Sequence, residues 1–136
     1  MTTAPTITVL SESEADAFVA EWMDAWNSHD LDRILGHYAD DVEYYSPFIA
    51  PLAEPGGPGA DGRLVGKDQV RAYFAAALAR NTDLHFDPPV HVAVGSGSVS
   101  FVYTSIKKLT AVETLVFAVG SRVVARAHCH YRAPVG

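Results

Sequence analysis

The chain is poor in cysteine: Cys129 is the only one among 136 residues. A lone cysteine cannot close an internal disulfide, so the fold must be held by its core, and the neighbours of Cys129 suggest a strand interior rather than a reactive thiol. Basic residues are also few. Ten Lys and Arg against sixteen Asp and Glu leave a net charge of −6. The ten are scattered, which argues against a nucleic-acid partner, because phosphate backbones are bound by clustered Lys and Arg. No apolar run approaches the roughly eighteen residues of a membrane span, and the N-terminus has no basic segment followed by an apolar block. The expectation is a cytoplasmic protein with no membrane partner.

What is present is globular. The chain is 49% apolar and 19% charged, enough for one domain with a single core. Residues 1–10, Thr-rich with Pro5 and little periodicity, read as a flexible N-terminal arm, or at 7–10 as a short edge segment. Residues 11–133 read as the single domain.

Ser11 with Glu14 is a capping-box pattern. Apolar residues then recur at Ala15, Phe18, Val19, Trp22, Ala25 and Trp26, the stripe of an amphipathic helix. A tight turn at 27–30 leads, with Asp30 as cap, into a short second helix carrying Leu31, Ile34, Leu35 and Tyr38. The period then changes to two at Val42, placing Val42, Tyr44 and Ser46 on one strand face and Glu43 and Tyr45 on the other. His29 and His37 have no partner at a ligand spacing and read as turn and helix-surface residues.

Residues 47–66 hold four of the eight prolines and five of the ten glycines, so a long loop is expected there. It lacks the lysine and spacing of a phosphate-cradling loop, and is read either as a lid or as a plain surface insertion. A third helix follows over 68–80, with Val70, Tyr73, Phe74, Ala77 and Leu78 on one face. Four strands are then expected at about 84–94, 98–106, 109–119 and 122–131, separated by hairpin-sized breaks. Pro88 and Pro89 interrupt the first, which implies a bulge or an edge position.

The last strand has one polar face, Arg122, Val124, Arg126, His128 and His130, and one apolar face, Val123, Ala125, Ala127, Cys129 and Tyr131. From the residues alone the polar face is either solvated or turned into a cavity. Two histidines on one face, with Glu113 across the ladder, would also suit a metal held by two imidazoles and one carboxylate. His85 and His91 have no better claim, and no metal or other cofactor is expected.

Several words in this order resemble the nuclear-transport-factor-2-like superfamily, and within it the SnoaL-like group. They are Trp26-Asn27 with His29-Asp30-Leu31-Asp32, then Tyr38-Ala39-Asp40-Asp41, Ser46-Pro47 and Gly66-Lys67-Asp68. The resemblance implies an α+β fold, in which three N-terminal helices and a cone-shaped, curved antiparallel sheet enclose one apolar pocket. Laid on the ketosteroid isomerase pattern, Glu113, Arg126, His128 and His130 would face that pocket as the catalytic set. Trp22, Trp26, Tyr44, Ser46 and Tyr73 would bind substrate. Glu113 or His128 would be the general base, His130 its partner and Arg126 the electrophilic group.

The departures matter as well. The isomerase's tyrosine, base aspartate and protonated aspartate correspond to Trp22, Ser46 and Glu113, so steroid isomerisation by that mechanism is not implied. Ala111 and Glu113 stand where limonene epoxide hydrolase has its arginine and aspartate, and no second acid is evident on the last strand. A SnoaL-like cyclase needs an acid and a histidine, which Glu113 and His128 could supply. The resemblance therefore points to a cofactor-independent enzyme acting by acid/base chemistry on an apolar ring substrate, of cyclase, isomerase or hydratase/lyase type. The alternatives are a non-catalytic binder of a small hydrophobic or aromatic ligand, or a dimeric interaction module. Fold alone cannot choose among them. Apolar residues such as Tyr103, Val112 and Val116, read as the outer strand face, would be covered by a homodimer.

Overall fold

In the computed structural model, which describes residues 6–134, Ser11 starts the first helix as its spacing to Glu14 requires. Its hydroxyl accepts from Glu14 N (3.1 Å) while the Glu14 carboxylate accepts from Ser11 N (3.0 Å). Helix α1, Glu12–Ser28, buries Ala15, Val19, Trp22, Met23, Ala25 and Trp26. It ends on His29, which takes the left-handed conformation at φ 60°. Asp30 caps α2, Leu31–Leu35, by accepting from Arg33 N (3.2 Å). Tyr38, expected on that helix, instead opens strand β1, Tyr38–Tyr45. The helix is already closed at Gly36, whose amide donates to Asp32 O.

The stretch 47–66 is not an uninterrupted loop. It contains a four-residue helix α3, Ile49–Leu52, and a short strand β2, Arg63–Val65, that pairs antiparallel with β1. Glycines make the tight connections between them. Gly59 sits at φ +86° where a Cβ would come within 2.7 Å of Ile49. Helix α4, Lys67–Arg80, buries Val70 and Phe74. Residues 84–90 form no strand, as the two prolines would require, and β3 begins only at His91, spanning His91–Gly95 at a sheet edge. Strands β4, Ser98–Thr104, β5, Thr110–Phe117, and β6, Val124–Arg132, complete the sheet. A left-handed turn at Lys107 and Lys108 separates β4 from β5.

Among the described residues the sheet has six strands in the order β2-β1-β6-β5-β4-β3. It is mixed rather than wholly antiparallel, because β1 lies parallel to β6. A parallel pair needs a long crossover, and here α3, β2, α4 and the other three strands all intervene between the two. Among the described residues the α-helices number four rather than three, since α3 formed inside the expected loop. Helix α1 packs on β3 and α4 on β1, closing one face of the sheet over a core that includes Trp22, Phe74, Phe101 and Leu115.

The alternation on β4 and β5 turns Val99, Phe101, Tyr103, Ala111, Glu113, Leu115 and Phe117 inward. On β6 a bulge intervenes: Val116 pairs with Arg126 but Phe117 with Val124, leaving Ala125 as the extra residue. Val124 therefore points inward with Ala127 and Cys129. Met1 to Pro5, half of the expected arm, lie outside the described residues. Residues 6–10 are pinned: Gly120 N donates to Thr6 O (3.0 Å), Gly97 N to Thr8 O (2.8 Å), and Leu10 is buried.

Candidate functional site

The helices and the inner sheet face enclose a cavity of about 700 Å³. Trp22 and Trp26 enter it together because four residues on α1 is one helical turn. From α4 come Tyr73, Phe74 and, at its end, Arg80. Tyr44, Tyr103, Glu113 and Tyr131 come from β1, β4, β5 and β6 in turn. Phe86 closes one side from the segment before β3, and Phe48, Pro51 and Leu52 flank the opening. Aromatic edges build the wall. Trp22 stacks on Phe86 at 6.2 Å and meets Phe101 edge-on at 5.0 Å, while Trp26 meets Phe74 at 4.7 Å. Asn27 holds Phe86 there by a two-way bond, donating to Phe86 O (2.9 Å) and accepting from Phe86 N (2.6 Å).

Glu113 is the acid of this cavity, 3% exposed. Its Oε1 accepts from the Tyr103 hydroxyl at 2.6 Å, and its Oε2 has no partner among the described residues. Burial pushes its carboxyl up to about 7, with the Tyr103 hydrogen bond opposing that rise by favouring the anion. The surrounding phenols and thiol go the other way from reactivity. Burial first, and the nearby Glu113 charge second, hold Tyr103 and Tyr38 well above the usual phenol range, and Cys129 well above the usual thiol range. Cys129 lies directly across the ladder from Glu113 and donates to the Tyr44 hydroxyl at 3.1 Å. Trp22 Nε1 donates to Tyr38 (3.0 Å). Trp26 Nε1, also buried, has no hydrogen-bond partner among the described residues. Two polar atoms of cavity-lining residues, Glu113 Oε2 and Trp26 Nε1, are thus buried without a partner within hydrogen-bond distance among the described residues, each costing about 1–3 kcal/mol.

Of the residues expected at the site, Glu113, Trp22, Trp26, Tyr44 and Tyr73 line the cavity. Ser46 is buried but does not line it; its hydroxyl accepts from Phe48 N (3.3 Å) at the turn after β1. Arg126, His128 and His130 lie on the opposite face of the sheet. Since Cys129 pairs with Glu113, strand alternation sends its neighbours outward. Arg126 there approaches Glu43 (3.8 Å), His128 stacks flat on Tyr45 (4.5 Å), and His130 Nδ1 bonds Val112 O (3.1 Å). Burial, then the Arg126 and His130 charges, push His128 below the usual imidazole range. The expected convergence of Glu113 with Arg126, His128 and His130 does not form, and neither does the two-histidine, one-carboxylate set. No group of three or more metal-ligating side chains gathers among the described residues.

Sequence reasoning missed Tyr103, expected on the outer face and found buried against Glu113. Its signal was the run Val99, Phe101, Tyr103, whose large side chains alternate with Ser98, Ser100 and Val102. It also missed Phe86 and Tyr131. Phe86 lies in a segment without a strand period, and Tyr131 depended on the β6 register.

Among the described residues, four helices and six strands form an α+β fold around an aromatic cavity with a buried carboxyl, the NTF2-like class of fold. The chain belongs to the SnoaL-like family: residues 19–133 match the SnoaL-like domain. A SnoaL-like protein of unknown function from Burkholderia thailandensis has 42% sequence identity and a TM-score of 0.81, covering 91% of this chain and 99% of that one. A Sinorhizobium meliloti protein provisionally named a polyketide cyclase shares 13% identity at a TM-score of 0.66, over 89% and 100% of the two chains. An NTF2-like protein from Anabaena variabilis shares 12% identity at 0.66, over 92% and 95%. The last two show the same fold. No curated protein matches the chain. No helix among the described residues is long and apolar enough to cross a membrane.

Proposed function

We propose that the cavity takes a small, mostly apolar ring compound and that Glu113 moves a proton on it, without a cofactor, in a cyclase-, isomerase- or hydratase-like reaction. The observation that carries this is the buried Glu113, with its carboxyl near 7 and its Oε2 unpaired in an aromatic cavity. A group balanced near neutrality can act as base in one half of a reaction and as acid in the other. The Glu113 carboxylate would take a proton from the carbon beside a carbonyl through Oε2. The C–H electron pair would become the enolate C=C bond as the carbonyl π pair moves onto oxygen, which Trp26 Nε1 would meet as donor, and in a conjugated substrate Glu113 would return the proton at the far carbon of the dienolate. Tyr103 holds the carboxyl in place through Oε1.

The test is α-proton exchange of a bicyclic ketone such as 2-tetralone in D₂O, followed by NMR. Wild-type protein should accelerate exchange, E113Q should lose at least about a hundredfold of that acceleration, and H128A should keep it. Full activity in E113Q would sink the reading. The outward position of the histidines leaves Glu113 without an imidazole partner in the cavity lining, and this favours, as second reading, a binder that holds the ring without turning it over. No exchange by the wild type, together with unchanged ketone affinity in E113Q, would select that second reading.

We further propose a homodimer through the outer sheet face. The half-buried Val102, Val112 and Val116 lie there beside Thr114 and the Tyr45–His128 stack. Apolar surface of this kind calls for a cover, and a second copy would supply it.

A further inference from the structure

The cations of this chain are distributed unevenly. Six of the ten Lys and Arg stand in salt bridges spread over the surface. The other four, Arg80, Lys107, Lys108 and Arg132, have no carboxylate partner among the described residues, and all but Arg80 belong to one end of the sheet. Arg132 pairs with Thr110 at the start of β5, two residues beyond Lys108. Arg80 joins them through the cavity, for the exposed Arg80 and Lys107 both line it.

The cavity lining is therefore graded. Its buried part is aromatic with one carboxyl, Glu113, while its exposed lining residues include the apolar Phe48 and Leu52 and the cationic Arg80 and Lys107. In a protein of net charge −6, unpaired cations gathered at one opening create a local positive potential against the overall field. The β4–β5 turn adds a second observation. Lys107 and Lys108 both adopt left-handed backbone, at φ 58° and 60°. Two consecutive side-chain-bearing residues in that region are disfavoured where glycine would be easy. A tight hairpin turn uses that conformation, and here it sets Lys107 on the cavity lining.

We infer that the ligand of this cavity is amphipathic: an apolar ring system bearing a carboxylate or phosphate, whose oxyanion is held at the opening by Arg80 and Lys107. The inference rests on the proposed pocket-binding reading and narrows it to anionic ring compounds. Arg80 offers a planar fork of donors and Lys107 a flexible point charge, a pair that accepts either oxyanion. The ring lies against Trp22, Trp26 and Tyr73, and the far end of the molecule reaches Glu113.

Calorimetric titration of the full chain with 2-naphthoate, 2-naphthyl phosphate and the neutral methyl 2-naphthoate tests this. At low salt one or both anions should bind roughly three- to tenfold more tightly than the ester, a difference that shrinks at high salt. The tighter anion identifies the head group. R80Q and K107Q combined should bring the anions down to the affinity of the ester and leave the ester itself unchanged. Binding of the ester as tight as that of both anions overturns the inference while leaving the pocket reading intact. An equal loss for all three probes in the double variant overturns it too, because the rim residues would then be shaping the cavity rather than holding charge. If none of the three binds, both readings fall.

Discussion

Glu113 carries a consequence for stability as well as for chemistry. Its carboxyl is raised in the folded chain to about 7 from 4.5, so between those values the native state binds a proton that the unfolded state has lost. Stability then falls as pH rises through that window, by about 3 kcal/mol in total from this group. Other carboxylates, such as Glu14 and Glu21, are lowered by Ser11 and Arg33 and work in the opposite sense at lower pH. The wild-type profile alone is thus a mixture, and the difference between wild type and E113Q isolates the contribution of Glu113. Urea unfolding should show E113Q gaining on the wild type from pH 4.5 to 7 and holding a constant lead above pH 8. A flat difference would mean that Glu113 titrates normally. Tyr103→Phe removes the hydrogen bond that favours the anion, so it should raise the Glu113 carboxyl further, read as a shift of the same difference curve to higher pH. On the outer face, His128 should titrate below the free imidazole value of about 6.5. Arg126→Gln removes a nearby positive charge that disfavours the imidazolium, so it should move the titration up, as followed by NMR of the imidazole protons.

At the scale of elements, the Gly/Pro-rich stretch is the instructive case. Its composition excludes a long helix or ladder, and none forms. Yet the spacing between breakers leaves room for one turn of helix and three residues of strand, and both fill it. The stretch is packed, not draped. Gly59 lies under Ile49 and Leu64, whereas a Cβ on Gly56, at φ +72°, would meet nothing within 4 Å. Gly59→Ala should therefore cost about 2 kcal/mol or more by urea unfolding, and Gly56→Ala only the backbone strain of about 1 kcal/mol. Equal costs would show that the wedge of α3 against β2 contributes nothing. Helix α1 and its cap were readable from Ser11, Glu14 and the apolar stripe, because all the forces involved act within a few residues. Helix α2 ends about one turn before its apolar period does. Tyr38 continues the helical period, and only its pairing with Val124 across the sheet makes it a strand residue.

At the scale of the molecule, the proposed dimer predicts a sedimentation mass near twice 14.6 kDa at micromolar concentration, and a monomer there would overturn it. The amino-acid sequence by itself determined the order of the longer helices and strands, though not α3 and β2, together with the aromatic stripe of α1, the family, and the presence of one acid among apolar strands. Local periodicity and capping carry that information. Only the tertiary structure decided which face of β6 meets the cavity. A strand's pattern separates two faces without saying which is inside, and a shift of one residue exchanges them. Here the choice is made by the pairing of Cys129 with Glu113, by the bulge at Ala125, and by the parallel contact of β6 with β1, a strand some eighty residues earlier. Those contacts placed Tyr103 beside Glu113 and sent His128 and His130 to the opposite face, because burial of Ala127, Cys129 and Tyr131 against the core outweighs anything that the two imidazoles could gain inside it.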